Sequence, residues 1–401
     1  MDIAAVPLDR TIHHNFFYSQ FQLSTPMNKK IGGGIGAAIA IAIIVGIIYS
    51  VNLEPQPDVS IQVTKHEKLG LVINTPDSST NLQQLDEIYT TASQSGIGRS
   101  NVYMFWNIVE PEKNQYNWNQ YDVLMSMNKK NNLEVTLYFS VINAKTLGPF
   151  PAWIGKPSLN SISEDNLVKV LDAILSRYDI IDSVILAGET DEHFRYNEVN
   201  IPVYTELFNN VYDKIKEKHP DVKIGNAFSL HGVLNKNLQH IVQELSLGDF
   251  VAFSYFPVDS LNEITKSPRN YDDLEKIFEI VPDKQIGIFE LSWSSSEFVG
   301  GSVPDQTDFI ASVFPFYSNN ESKIEFFTWY RLYDRPQGTC YIDVEEPEGS
   351  VSVGGASGLG SSEYVAERLG HYICSAGLIE SDGTPQTGWT EFKRQVEFLN
   401  T

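Results

Sequence analysis

Positive charge is scarce in this sequence. Its 401 residues carry 29 Lys and Arg against 51 Asp and Glu, a formal net charge of -22. A phosphate-binding surface needs clustered Lys and Arg, so nucleic acid is excluded as a partner. The same balance gives no warrant for an anionic polysaccharide. Cysteine is nearly missing too: Cys340 and Cys374 are too few for a disulfide scaffold and lack metal-ligand spacing. They form one bridge if the domain lies outside the cell, or stay as two buried thiols. No G-x-G-x-x-G joins a first strand to its helix. The glycines of Glu345 to Ser362 have no P-loop lysine either, and read as a flexible loop. No cofactor or metal is expected.

Apolar residues, by contrast, are plentiful. At 42% hydrophobic, with 22 Phe, 19 Tyr and 6 Trp, the chain can fill a large core, and one α/β barrel would use most of it. One apolar run stands apart from the rest. Ile31 to Tyr49 holds 19 residues without a charge, roughly 28 Å as a helix and close to the ~30 Å of a bilayer's hydrocarbon core. It is longer than a usual signal-peptide core, and no clear A-x-A site follows it, which favours an uncleaved anchor over a cleaved leader. Lys29 and Lys30 precede the run, and Glu54 and Asp58 follow it. The excess of positive charge places residues 1–30 in the cytoplasm and the large C-terminal domain outside. The chain thus divides into a cytoplasmic segment 1–30, a span 31–49, a tether 50–66 with Pro55 and Pro57, and a domain over 67–401. Met27-Asn28-Lys29-Lys30 also reads as a second start with its own basic head, which would leave residues 1–26 untranslated. Gly32 to Gly36 carries a G-x-x-x-G pattern, common by chance.

Beyond the tether, strand and helix signals alternate. Strand patterns fall at Leu69 to Asn74, Asn101 to Trp106, Leu133 to Val141, Val184 to Ala187, Val222 to Ala227, Phe250 to Tyr255, Gln285 to Phe289 and Ile324 to Trp329. Helical patterns lie between them, at Leu82 to Ser93, Asn119 to Lys130, Ser163 to Tyr178, Val203 to His219, Asn237 to Leu245, Tyr271 to Ile280 and Asp305 to Tyr317. Ser163 suits an N-cap, and Leu167, Val170, Leu171 and Ile174 share one face. Tyr364 to Ile373 and Trp389 to Leu399 would close the structure. Eight alternating units with no long polar linker are the rhythm of a (β/α)8 barrel.

Two strand ends carry acid. The run ending at Gly188 is followed at once by Glu189, Asp191, Glu192 and His193, and 101 residues after Glu189 a second run ends on Glu290. One such acid alone is most often a solvated loop or a helix cap. In a barrel both would reach the carboxyl-end mouth, where such enzymes keep their chemistry. Cleaving a glycosidic bond needs such a pair, one carboxylic acid to protonate the leaving oxygen and one carboxylate to attack. Trp106, Tyr255, Trp293 and Trp329 sit near strand ends and offer flat apolar faces for a sugar, although each also suits a core. Glu189, Asp191 and His193 could instead be read as metal ligands, but the strand stops at Glu189.

These residues resemble the clan A retaining glycoside hydrolases, the β-galactosidase, endo-galactanase and cellulase-like barrels. Asn107 to Trp118 (NIVEPEKNQYNW) is similar to the segment after their second strand, with Tyr116 and Trp118 as packing anchors. Glu189 falls on their acid/base and Glu290, with Trp293 three residues on, on their nucleophile segment. Tyr255 falls on the aromatic that often donates to the nucleophile, and Trp329 on the platform tryptophan of the eighth strand. Gln306 and Gly377 to Gln386 (GLIESDGTPQ) complete a likeness covering roughly residues 67–398. The resemblance implies a hydrolase of β-linked oligo- or polysaccharides at the cell membrane. Two positions depart from it. Gly188 stands where the group has asparagine before the acid/base, and Ser292 where glycine often follows the nucleophile. The missing asparagine removes a usual hydrogen bond to the sugar 2-hydroxyl, so a barrel that binds glycan without cleaving it is the alternative.

Overall fold

The computed structural model describes residues 64–77, 79–265, 270–340, 351–352 and 363–400. The expected span Ile31 to Tyr49, residues 1–30, the tether up to residue 63 and most of the Gly-rich loop lie outside the described residues. Among the described residues, no helix is long and apolar enough to cross a membrane.

Eight strands carry the architecture: β1 (His66–Leu71), β2 (Ile97–Tyr103), β3 (Glu134–Tyr138), β4 (Ile181–Ala187), β5 (Lys223–Ser229), β6 (Phe250–Tyr255), β7 (Gln285–Leu291) and β8 (Ile324–Trp329). They close in the order β1-β8-β7-β6-β5-β4-β3-β2, every neighbouring pair parallel. This is the expected (β/α)8 barrel, and it puts all eight carboxyl ends at one mouth. Several boundaries move. β2 starts at Ile97 and ends at Tyr103 because Phe105 caps a helical turn at Trp106–Val109, where a strand was expected to continue. The expected helix Asn237 to Leu245 is shorter, Gln239–Glu244, and a helix that was not expected, Leu230–Lys236, precedes it and ends at Asn237, whose φ is 57°. Asparagine tolerates that left-handed conformation better than most residues.

The outer helices form where apolar spacing and caps agree. Glu164–Arg177 begins at Ser163, whose hydroxyl accepts from the Asn166 amide, and it buries Leu167, Val170, Leu171 and Ile174 completely. Each such side chain contributes about 1.5–3 kcal/mol, an upper figure against an extended unfolded chain. Leu82–Ser93 starts with a reciprocal cap between Asn81 and Gln84. Charge seals the far end of the barrel. Buried Arg99 of β2 makes a two-oxygen ion pair with Asp182 of β4, and its guanidinium lies 5.4 Å from the Phe326 ring centroid. Lys223 pairs with Glu325 at 2.6 Å nearby.

Two further connections bear on the mouth. After β3, a small hairpin of Ile142–Asn143 and Thr146–Leu147 is joined by Val351–Ser352 from the Gly-rich loop. After β8, Cys340 and Cys374 are joined by a disulfide with Cα atoms 5.6 Å apart. That bond ties the loop following β8 to the helix Glu363–Cys374.

Candidate active site

β7 is irregular where it matters. Against β6 the register runs Phe253 to Ile288 and Ser254 to Glu290, and against β8 it runs Phe327 to Ile288 and Trp329 to Leu291. An extra residue therefore sits on β7 between Ile288 and Leu291. Such a bulge breaks the strict alternation of sides and re-aims a side chain. Phe289 packs inward, 5.2 Å from the Tyr138 ring and 5.9 Å from the Tyr103 ring. Glu290, only 5% exposed, accepts a hydrogen bond from the Tyr103 hydroxyl.

Glu189 lies two residues beyond the end of β4, after Gly188, in a left-handed conformation, φ 47° and ψ 46°. A non-glycine residue there costs on the order of 1–3 kcal/mol and persists only where its neighbours enforce it. The neighbours do so here. The Gly188 amide donates to Ile142 O and to Ser140 Oγ, the Gly188 carbonyl accepts from Ala144 N, and Thr190 Oγ1 donates to Ala227 O. Gly188 has its own reason for lacking a side chain. A Cβ added there would lie 2.0 Å from the Tyr138 hydroxyl oxygen. Tyr138 thus fills the space that a side chain at position 188 would need, and donates to Asn143 Oδ1 at 2.5 Å.

The Glu290 charge reaches Glu189. Burial pushes Glu189 up to about 7, and the Glu290 charge adds to the shift while Lys236 opposes it. Burial also pushes Glu290 up to about 7, but the Tyr103 hydrogen bond and the Arg331 charge pull it back. Tyr138, raised by burial, feels both carboxylates and so lies beside the two.

The acids after Glu189 do not form a metal site. Thr190–Phe194 is a turn of helix, so Asp191 and His193 leave the extended segment on which they would have shared a side with Glu189. Asp191 Oδ1 accepts from the Ser229 amide at 2.8 Å, and burial pushes the group up to about 7. His193 is held down to about 4 by burial and stays neutral. Among the described residues, no three His, Cys, Asp or Glu side chains are placed to hold a metal ion.

The expected sugar-binding aromatics are mostly elsewhere. Tyr255, Trp293 and Trp329 are 1%, 3% and 1% exposed, and their rings gather around Phe309 of the outer helix Val303–Asn320 at 6.3, 5.0 and 6.0 Å. They are core residues between barrel and helix. The Tyr255 hydroxyl donates to Asp273 of the helix Asn270–Ile280 at 2.9 Å. The expectation that it reaches Glu290 is corrected, and Tyr103 makes that bond instead. Trp106 is buried against Phe139, Phe150 and Trp153, with its indole donating to Glu110 Oε2 at 2.9 Å. It packs the loop after β2. The aromatic at the mouth of β8 is Tyr330, one residue beyond Trp329: its amide donates to Leu291 O, and its ring sits 5.6 Å from Phe256.

No family model matches the chain, and no curated protein does. Solved structures do. A family 39 glycoside hydrolase from the gut symbiont Bacteroides cellulosilyticus matches at 14% identity and a TM-score of 0.58, covering 84% of this chain and 64% of its own, so the chain spans less than two thirds of that protein. GH5_18 from Streptomyces cattleya in complex with GlcNAc matches at 12% identity and 0.60, covering 84% and 81%. Xylanase 10B from Thermotoga maritima matches at 14% identity and 0.55, covering 82% and 94%. The barrel is therefore of the kind these glycoside hydrolases share.

Proposed function

We propose that the barrel is a glycoside hydrolase of β-linked saccharides, with Glu189 as acid/base and Glu290 as nucleophile. The observation that carries this reading is the unequal environment of two coupled carboxyls at one barrel mouth. Glu290 has a donor, Tyr103, and a positive neighbour, Arg331, both favouring its charged form. Glu189 faces the Glu290 charge, which favours its protonated form. Burial raises both carboxyls to about 7, and the reading rests on the opposite sign of the remaining contributions, which favour the proton on Glu189 and the charge on Glu290. Such a pair titrates jointly, and a bell-shaped pH profile would belong to both. The structural neighbours support the same class of reaction. The retaining course rests on the resemblance at these two positions, and the charge-free run Ile31 to Tyr49 supports a membrane anchor with the barrel outside the cell.

One observation favours a second reading, a barrel that binds glycan without turnover. Tyr138 leaves no room for a side chain at position 188, where the resemblance implies an asparagine whose bond to the sugar 2-hydroxyl strengthens in the transition state. Purified full-length protein assayed on aryl β-glycosides and β-linked oligosaccharides decides between them. Turnover that disappears in Glu290→Ala, with the product anomer matching the substrate by NMR, supports the hydrolase. Glycan binding without turnover supports the second reading, and activity unchanged in Glu290→Ala sinks the mechanism.

A further inference from the structure

Arg331 has no carboxylate in ion-pair contact among the described residues, although its charge reaches Glu290 and Asp334. It lies two residues beyond the end of β8, at the barrel mouth, and is 3% exposed. Its Nη2 donates to the Tyr330 hydroxyl at 2.6 Å, and its guanidinium lies 4.7 Å from that ring's centroid. Nε and Nη1 have no hydrogen-bond acceptor among the described residues. A guanidinium has five donors and stays charged, so a buried one is ordinarily paired. The acids around it are engaged otherwise. Asp334 accepts from the Gly377 amide on one oxygen and from Gln386 on the other. Glu290 accepts from Tyr103. Arg335 lies close enough for the two positive charges to oppose each other. Acid is not in short supply elsewhere, with 51 Asp and Glu in the chain.

We infer that the counter-ion of Arg331 arrives with the substrate, as the carboxylate of a uronic acid unit bound beside Glu290. This rests on the glycosidase reading and narrows it to acidic β-linked sugars. A planar carboxylate fits a guanidinium edge better than a single hydroxyl does, and the Tyr330 ring holds the guanidinium in place from below. The net charge of the chain speaks against a broad polyanion surface, so the recognition is confined to this one buried cation.

The test is calorimetric binding to the full-length protein of methyl β-glucuronide and methyl β-galacturonide, each beside its neutral methyl ester and its 6-deoxy-6-sulfonate analogue. Aryl glycosides of the same sugars are assayed for turnover. The acid should bind at least ~30-fold more tightly than its ester, the worth of a hydrogen-bonded charge. Arg331→Met should collapse that ratio to about unity, and Arg331→Lys should keep part of it. The wild-type ratio needs no variant, so a misfolded Arg331→Met leaves the test standing. Neutral sugars bound or cleaved as well as acids would overturn the inference and leave the glycosidase reading intact. A preference for the sulfonate over the carboxylate overturns it as well. Equal losses on acid and ester in a folded Arg331→Met would make Arg331 a positioning group for Glu290 only. Failure of every saccharide to bind or turn over would fell both readings together.

Discussion

Gly188→Ala tests the position at which the sequence departs from the pattern it resembles. The new Cβ would lie 2.0 Å from the Tyr138 hydroxyl oxygen and 2.7 Å from two ring carbons. The ring cannot simply turn away. It is stacked on Phe289 at 5.2 Å and tilted against Tyr103 at 5.4 Å, and its hydroxyl is tied to Asn143. Overpacking a filled site costs about 1–3 kcal/mol, and losing the Asn143 bond about 1 more. The lower entropy of an unfolded alanine chain returns about 0.5 kcal/mol. The net expectation is about 2–3 kcal/mol, read as a lower urea midpoint by tryptophan fluorescence. In a Tyr138→Ala background the same substitution should cost less than about 1 kcal/mol, because the obstructing ring is gone. Gly188→Asn, which restores the asparagine of the related barrels, should lower turnover rather than raise it. Equal cost of Gly188→Ala in both backgrounds would refute the steric argument, as would a gain of activity in Gly188→Asn.

Opening the Cys340–Cys374 bridge by Cys340→Ala/Cys374→Ala frees a loop closed over 34 residues, and the chain-entropy model expects a loss of about 3–4 kcal/mol in chemical unfolding. A loss below about 1 kcal/mol would count against it. Glu189, Asp191, Glu290 and Asp334 are each pushed up to about 7, burial being the largest cause. The folded state then holds protons that the unfolded chain releases, so this stability is present below about pH 4 and fades as pH climbs towards 7. The urea midpoint should fall between pH 5 and pH 8, with Asp334→Asn flattening the slope; a rising midpoint would contradict the burial. Carboxyls held low, such as Asp122 by Arg177, act only below that window. Trp329→Ala should cost about 3–5 kcal/mol of stability with little change in KM, whereas Tyr330→Ala should raise KM. The reverse pattern would return Trp329 to the pocket.

The fold was legible because its signals are local and repeated. Each strand is an apolar run buried on both sides, each helix has a periodic face, and eight alternations leave little but a closed barrel. Helix Glu164–Arg177 shows this at the level of residues: Ser163 caps it and the four spaced aliphatics are its buried face. Boundaries were less legible, since an apolar run does not say where hydrogen bonding stops. Phe105 and Trp106 look strand-like but begin a helical turn.

The site was legible in its acids and not in its aromatics, and the reason is the two-residue period of a strand. Glu189 and Glu290 were found as polar residues ending apolar runs, a signal that needs no register. Choosing an aromatic that faces the mouth does need it, and a one-residue error moves a side chain from pocket to helix layer. Trp329 and Tyr330 are that error on β8. On β3 the apolar alternation of Val135 and Leu137 is the plain signal, while the alternate series ending in Tyr138 lines the site. On β2 the pair Asn101 and Tyr103 carried a usable signal, two polar residues at strand spacing inside a buried run; Asn101 Nδ2 donates across the barrel to Phe289 O at 2.7 Å. The bulge on β7 defeats even a correct register, because it places Phe289 and Glu290 on the same side. Gly188 looked like a loss when set beside asparagine. The room a side chain would need there is taken by Tyr138, fifty residues earlier in the chain. A side chain excluded at one strand end by a ring from the neighbouring strand leaves no trace in either segment alone, and only the closure of the sheet brings the two together.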